Sequence, residues 1–232
     1  GNENDGTING ATLATDRNGE SAKAYSFDGD GDSIISNEIV ANYESFSVLL
    51  WFKTDSEGVL ITNSSDGNLS SGMGDKRIYI NSTGLVFSGV YNSGVHSISS
   101  DTSYADNNWH HAVLKQDSEN LSLYVDGVLK GKKSVKSQEV SNKWWGIGYS
   151  HLRGDWPDRP NNYFKGTIDD IRIYNRALSE AEVAELYELE KPTGGGTSTG
   201  GSVSVDDPQD MADSSGDIKN ISAHVEGGNL HL

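Results

Sequence analysis

The 232-residue sequence contains no cysteine. Disulfides, thiolate-held metals and cysteine nucleophiles are thereby excluded together, and a packed core must supply the stability. Basic residues are scarce: 18 Lys and Arg stand against 34 Asp and Glu, for a formal charge of −16. This strong acidic excess argues against nucleic acid and against anionic membrane surfaces. Long hydrophobic runs are missing as well. The longest, Val48 to Phe52, falls far short of the roughly 20 residues of a spanning helix, and no apolar segment of the signal-sequence kind opens the chain. Membrane insertion is not expected.

What is present is polar and glycine-rich, with 34% hydrophobic and 9% aromatic residues. That balance suits a β-protein with a wet surface and one substantial core. An acidic, cysteine-free chain rich in Gly, Ser and Asn also resembles a bacterial extracellular protein in composition, so a secreted or cell-surface location is expected.

The sequence divides at Lys191-Pro192-Thr193-Gly194-Gly195-Gly196-Thr197-Ser198-Thr199-Gly200-Gly201-Ser202, a composition that cannot bury enough surface to order itself. The expected organisation is a main domain over 1–191, a linker over 192–202 and the start of a following domain, or a partly disordered tail, over 203–232. The last part has six acids and one lysine, with a possible strand or two around Ile218 to Val225. Without it the body is still acidic.

Within the body, short β-rich runs recur between Gly, Asn, Asp and Ser clusters. They are Tyr25 to Phe27, Phe46 to Thr54, Gly58 to Thr62, Arg77 to Ile80, Leu85 to Ser88, Trp109 to Lys115, Leu121 to Val125, Val128 to Lys132, Trp145 to Tyr149 and Ile168 to Tyr174. Strands at this spacing predict an all-β, two-sheet antiparallel sandwich or a barrel. In Leu121 to Val125 the apolar residues alternate, and Asp126-Gly127 supplies the positive-φ pair of a two-residue hairpin before Val128. One helix is signalled. Ser179-Glu180-Ala181-Glu182 is a capping box, Leu178 and Val183 stand at the hydrophobic-staple positions, and Val183, Leu186 and Tyr187 form a docking stripe.

Four segments then fall into a recognisable order: Asn4 to Thr12 leading to Tyr25 to Gly29; Phe46 to Thr54; Trp109 to Val113 with Leu123 to Gly127; and Phe164 to Ser179. Together, over about residues 4 to 190, they resemble the bacterial laminin-G-like, concanavalin A-like domain. The resemblance implies a two-sheet jelly roll with a short C-terminal helix. It also implies, frequently, a structural calcium ion, and a carbohydrate-binding or adhesive role within secreted hydrolases and adhesins. Such domains usually open with a further strand, whereas here the Asn-Asp-Gly-Thr motif follows Gly1 almost at once. An exposed sheet edge, or occupation of that edge by residues 203–232, is the expected consequence.

Asp28-Gly29-Asp30-Gly31-Asp32 offers three carboxylates on a flexible backbone, as a hard cation prefers, although an acidic turn between strands explains it equally well. It is not an EF-hand, because Ser33 and Ile39 occupy the positions that require Gly and Glu. Asp169-Asp170 enters an otherwise apolar strand, where carboxylates need a cation or hydrogen-bond donors. The resemblance places both motifs where family members hold calcium, so Asp28, Asp32, Asp169 and Asp170 are the expected ligands.

The segment from Lys143 to Tyr163 holds three of the five tryptophans. Sugars have apolar faces and polar rims, so their sites pair aromatic platforms with charged and amide groups. Trp144, Arg153, Asp155, Trp156, Arg159, Asn161 and Tyr163 are the candidate ligand-binding residues, with Trp156 expected to be the exposed aromatic. Alternation puts Trp145, Ile147 and Tyr149 on one face, a pattern more typical of core. Trp109-His110-His111 predicts no zinc site, because neighbours on a strand face opposite ways. No carboxylate pair of glycosidase type and no nucleophile elbow, P-loop or zincin helix is present.

The expected function is a non-catalytic, calcium-stabilised carbohydrate-binding or adhesive module of a larger secreted bacterial protein, with a glycan or polysaccharide as partner. A structural spacer or module binding a cell-surface protein is the alternative, and a glycoside hydrolase comes third.

Overall fold

A computed structural model describes residues 6–37, 44–70, 74–136, 144–152 and 154–192, together with the backbone of two strands at 221–226 and 229–231. The strands in chain order are β1 (Gly6–Asn9), β2 (Thr12–Ala14), β3 (Ala24–Asp28), β4 (Ser33–Ser36), β5 (Phe46–Lys53), β6 (Gly58–Ser64), β7 (Lys76–Ile80), β8 (Leu85–Tyr91), β9 (Val95–Ser103), β10 (Trp109–Gln116), β11 (Asn120–Val125), β12 (Val128–Ser134), β13 (Trp144–Ile147), β14 (Lys165–Tyr174), β15 (Ile221–Glu226) and β16 (Asn229–His231). One helix, α1 (Glu180–Glu190), lies between β14 and β15.

They form the expected sandwich. One sheet runs β1-β4-β13-β6-β7-β8-β9, and the other runs β12-β11-β10-β5-β14-β15-β16 with β3 and β2 carried on β14. All the pairings are antiparallel. The inner faces share one large core, to which β5 contributes Phe46, Val48, Leu50 and Phe52. Its alternate residues Leu49 and Trp51 are buried on the outer face, where Leu49 joins Val113, Tyr124, Leu178 and Val183 beneath α1. Burial on both faces explains why this strand reads as an unbroken apolar run.

Helix α1 begins where the capping box predicts. The Glu182 amide donates to Ser179 Oγ at 3.1 Å and the Ser179 amide to Glu182 Oε2 at 2.6 Å, while the staple residues Leu178 and Val183 are both buried. The β11–β12 hairpin also turns as expected, with Asp126 at φ 52° and Gly127 at φ 73°. Strands β1, β2, β4 and β9 go beyond the sequence reading. They are short or rich in Ser, His and Thr, and they take strand geometry from their neighbours rather than from propensity.

One side of β14 is shared by two strands. Its first half, Lys165 to Ile168, pairs with β3, and Ile171, Arg172 and Ile173 pair with Ala223, Ser222 and Ile221 of β15. The C-terminal segment therefore occupies the second half of that side. Of the expected linker over 192–202, residues 193–202 lie outside the described residues.

Candidate ligand-binding site

After β13 the alternation that the sequence suggests breaks at Gly148. The residue has φ 78°, and a Cβ there would stand 2.3 Å from the Phe27 ring, so glycine is required for the chain to cross the core and leave the sheet. The loop that follows is closed at its base. Tyr149 bridges Tyr163, the Ser150 amide donates to Asn162 O at 3.1 Å, and the Phe164 amide donates to Gly148 O at 2.8 Å.

From that base the loop lies back over the outer face of β6, β7 and β8. Leu152 and Trp156 pack with Val59, Tyr79 and Phe87. Trp156 is 4% exposed, edge-on to Tyr79 at 6.3 Å, with the Arg77 guanidinium 4.9 Å from its ring. Tyr79 donates to Pro157 O at 2.6 Å. Gly89 makes room for this packing, since a Cβ there would stand 2.9 Å from Trp156 Cζ3. The expectation of an exposed Trp156 is thus corrected. Its flanking residues are polar, but three strands distant in sequence provide an apolar bed that the loop folds into. Burial holds the Arg77 pKa down to about 10 and pushes that of Tyr79 upward.

The aromatic surface that remains is different. Tyr149 and Tyr163 are half-buried and stacked, with ring centroids 4.5 Å apart and planes at 23°. Burial first, then Tyr163 and Asp66, raises the Tyr149 hydroxyl pKa. Asp66 belongs to the turn after β6, where it accepts from Ser64 Oγ at 2.6 Å and Ser70 Oγ at 3.3 Å. The same turn lays Gly67 against the half-buried Trp144 ring and is strapped to the long loop by the His151 amide, which donates to Leu69 O. Trp144, Tyr149, Tyr163 and Asp66 therefore border one region built from two loops on a rigid sheet. Of the other sequence candidates, Asp155, Arg159 and Asn161 are exposed on the loop, Arg159 donating to Leu152 O at 3.2 Å. Arg153 lies outside the described residues. Sequence reasoning missed Tyr149, which alternation assigned to the core, and Asp66, which no local pattern marks.

The four aspartates proposed for calcium do not meet. Asp28 stands opposite Lys165 on β14, four residues before Asp169, a separation of about 13 Å at 3.3 Å per residue and far outside one coordination shell. At Asp169 and Asp170 the required cation is a guanidinium. Arg17 reaches Asp169 Oδ2 at 2.6 Å and Asp170 Oδ2 at 2.8 Å, and Arg172 reaches Asp170 Oδ2 at 2.7 Å. Adjacent strand residues should face opposite ways, but a bulge between Asp169 and Arg172, with Asp170 at φ 50°, brings both carboxylates to one partner. Burial pushes the Asp169 pKa up to about 6 against the pull of Arg17. In the other motif, Asp32 Oδ2 accepts the Asp28 amide at 2.8 Å and Asp28 Oδ1 the Asp30 amide at 2.7 Å. Among the described residues no group of three or more His, Asp or Glu side chains is arranged to hold an ion. His110 and His111 face opposite sides of β10, as expected.

No helix among the described residues is long and apolar enough to cross a membrane. No curated protein matches the chain, but solved structures share its fold. Domain 4 of AbnA, a GH43 extracellular arabinanase from Geobacillus stearothermophilus in complex with arabinotriose, aligns with a TM-score of 0.58 and 23% identity over 78% of this chain and 87% of that one. A heptameric SAP-like pentraxin from Limulus polyphemus gives 0.56 and 15% over 72% and 82%. The binding domain of Paraclostridial Mosquitocidal Protein 1 gives 0.59 and 18% over 82% of this chain, which spans about half (48%) of that domain. At these identities the likeness is one of fold. The family profile of the Concanavalin A-like lectin/glucanases superfamily matches residues 27–184, and with the jelly-roll architecture described above this establishes that the chain belongs to that superfamily.

Proposed function

We propose that the chain is a non-catalytic carbohydrate-binding module of a larger secreted or cell-surface bacterial protein, and that it attaches that protein to a glycan. The observation that carries this reading is the stacked Tyr149–Tyr163 pair, held on a pinned loop beside Trp144 and Asp66. An aromatic face with a carboxylate at its rim matches the apolar face and hydroxyl edge of a sugar ring, and loops on a rigid scaffold are where binding concentrates. Membership of a lectin and glucanase superfamily supports it. The arabinotriose complex of the AbnA domain makes arabinan the first polymer to test. Calcium is retained in the proposal only for the Asp28 to Asp32 turn, because Asp169 and Asp170 are neutralised by arginine. The same pairing disfavours the hydrolase reading, since Arg17 engages both carboxylates and leaves no pair free to flank a glycosidic bond.

The test is calorimetric titration with arabinan and a panel of soluble polysaccharides, in calcium and in EGTA. Tyr163→Ala and Tyr149→Ala should each weaken binding about tenfold, while Asp28→Asn should remove only the calcium dependence. A glycan bound equally well by wild type and both tyrosine variants would refute the site. Absence of binding across the panel would favour the spacer or protein-binding module, a reading that the burial of Trp156 already suits.

A further inference from the structure

Away from the aromatic site, the start of β10 carries a second arrangement. His110 is the register partner of Phe52, and its ring is tilted against Phe52 at 5.8 Å and edge-on to Tyr104 at 4.9 Å. Phe52 and Tyr104 both belong to the main core, so the histidine closes one end of it. Each ring nitrogen meets a carboxylate: Nδ1 is 2.8 Å from Asp126 Oδ2 and Nε2 is 2.9 Å from Asp106 Oδ1. A neutral imidazole has one N–H and one lone pair, so it would satisfy one carboxylate and present a lone pair to the other. Only the imidazolium donates to both.

Both carboxylates are held independently of the ring. Asp106 accepts from the Asn108 amide and side chain at 2.9 and 3.0 Å, and Asp126 Oδ1 accepts from the His111 amide at 2.9 Å. Lys130 and Tyr187 also feel Asp126 electrostatically, but neither hydrogen-bonds the histidine. Lys130 stands over Tyr104 and pairs with Asp101 at 3.8 Å, and Tyr187 of α1 packs against Gly127 at the hairpin tip. His110 therefore ties the 104–108 turn, which leads directly into β10, to the tip of the β11–β12 hairpin.

We infer that Asp106, His110 and Asp126 form a proton-operated clasp, in which protonated His110 holds the 104–108 turn onto the hairpin and loss of that proton releases the turn and opens this end of the core. Burial opposes the charge, but the two carboxylates outweigh it and raise the His110 pKa above its ordinary value. Closure is then fully favoured below about pH 6.5, the value for a freed ring, and is lost as pH climbs through the higher value of the closed state. Each unit between the two corresponds to about a tenfold change in the opening equilibrium.

Two measurements on the full chain test this. A side-chain nitrogen NMR titration should find both His110 ring nitrogens protonated at pH 6 and a midpoint above 6.5. Hydrogen exchange at Tyr104 and Asn107, whose amides donate to Gly84 O and Thr54 O, should accelerate from pH 6 to pH 9 after correction for intrinsic chemistry, by the factor that the measured midpoint sets. Asp106→Asn should lower the midpoint and bring fast exchange down to pH 6. A neutral His110 at pH 6 would overturn the clasp, as would corrected exchange that is the same at both pH values. The wild-type titration decides the matter even where the variant folds poorly.

Discussion

At Arg17 one side chain ties together three distant parts of the molecule. Its guanidinium pairs with Asp169 and Asp170 on β14, donates through Nε to Glu190 O at the end of α1 at 2.9 Å, and lies 5.1 Å from the Trp51 ring. The sequence indicated that the two aspartates needed a cation or hydrogen-bond donors but not which residue supplies them, because Arg17 lies 152 residues from Asp169. Removing it leaves the buried Asp169 without its cation, while Asp170 keeps Arg172, so Arg17→Met should cost about 3–5 kcal/mol in urea unfolding at pH 7. Without Arg17 the Asp169 pKa climbs above its present value of about 6. The penalty is then complete above that higher pKa and should shrink as pH falls toward the unfolded value near 3.8. His111 is the opposite case. It is wholly buried, stacked on Trp51 at 5.0 Å, and neither ring nitrogen meets a hydrogen-bond partner among the described residues. Burial first, then Arg172, lowers its pKa to about 3. A depressed histidine costs stability as pH falls below 6.5, because only the unfolded chain takes up the proton. His111→Phe should therefore be neutral or stabilising by about 1–2 kcal/mol at pH 7, and should lose less stability than wild type between pH 7 and pH 5.

Elements differ in how locally they are specified. Helix α1 and the Asp126-Gly127 turn were readable because their defining contacts span three residues or fewer, and a four-residue pattern contains the whole interaction. Strand β9 was not readable, since Val95 to Ser103 carries little β-propensity and is shaped by pairing with β8. The edge of β14 is a further non-local case. Ile171 and Ile173 face the core beside a strand that follows α1 by some thirty residues, with the apolar Ile221 and Ala223 at the register positions opposite them. A chain ending at 192 should unfold at lower temperature and should self-associate as its concentration rises, measured by calorimetry and light scattering, because the exposed edge is a template for pairing. An unchanged melting point and a strictly monomeric truncated chain would show that β15 contributes nothing.

For the whole molecule, the formal charge of −16 acts over distances longer than any contact named above. Like charges on one compact body repel, and salt screens that repulsion over about 10 Å at 0.1 M. The melting temperature should accordingly rise by a few degrees between 10 and 200 mM sodium chloride, and calorimetry at two ionic strengths checks the sign. The ion pairs at Arg17 are too buried to be screened in the same way. A falling melting temperature would mean that exposed pairs outweigh the net charge.

The sequence by itself determined what short-range chemistry can encode: the absence of disulfides, the acidic surface, the alternating strands, the hairpin and the helix cap. It also determined the family, because the order of the strand motifs is a linear property. The tertiary structure alone decided which aromatics are available to a ligand. Trp156 has polar neighbours in sequence, yet it is buried because Val59, Tyr79 and Phe87 offer it an apolar bed. Tyr149 follows a core strand, yet it leaves the core because Gly148 turns the chain across Phe27 toward Tyr163. Burial is a sum over neighbours brought together by folding, and those neighbours are not adjacent in the sequence.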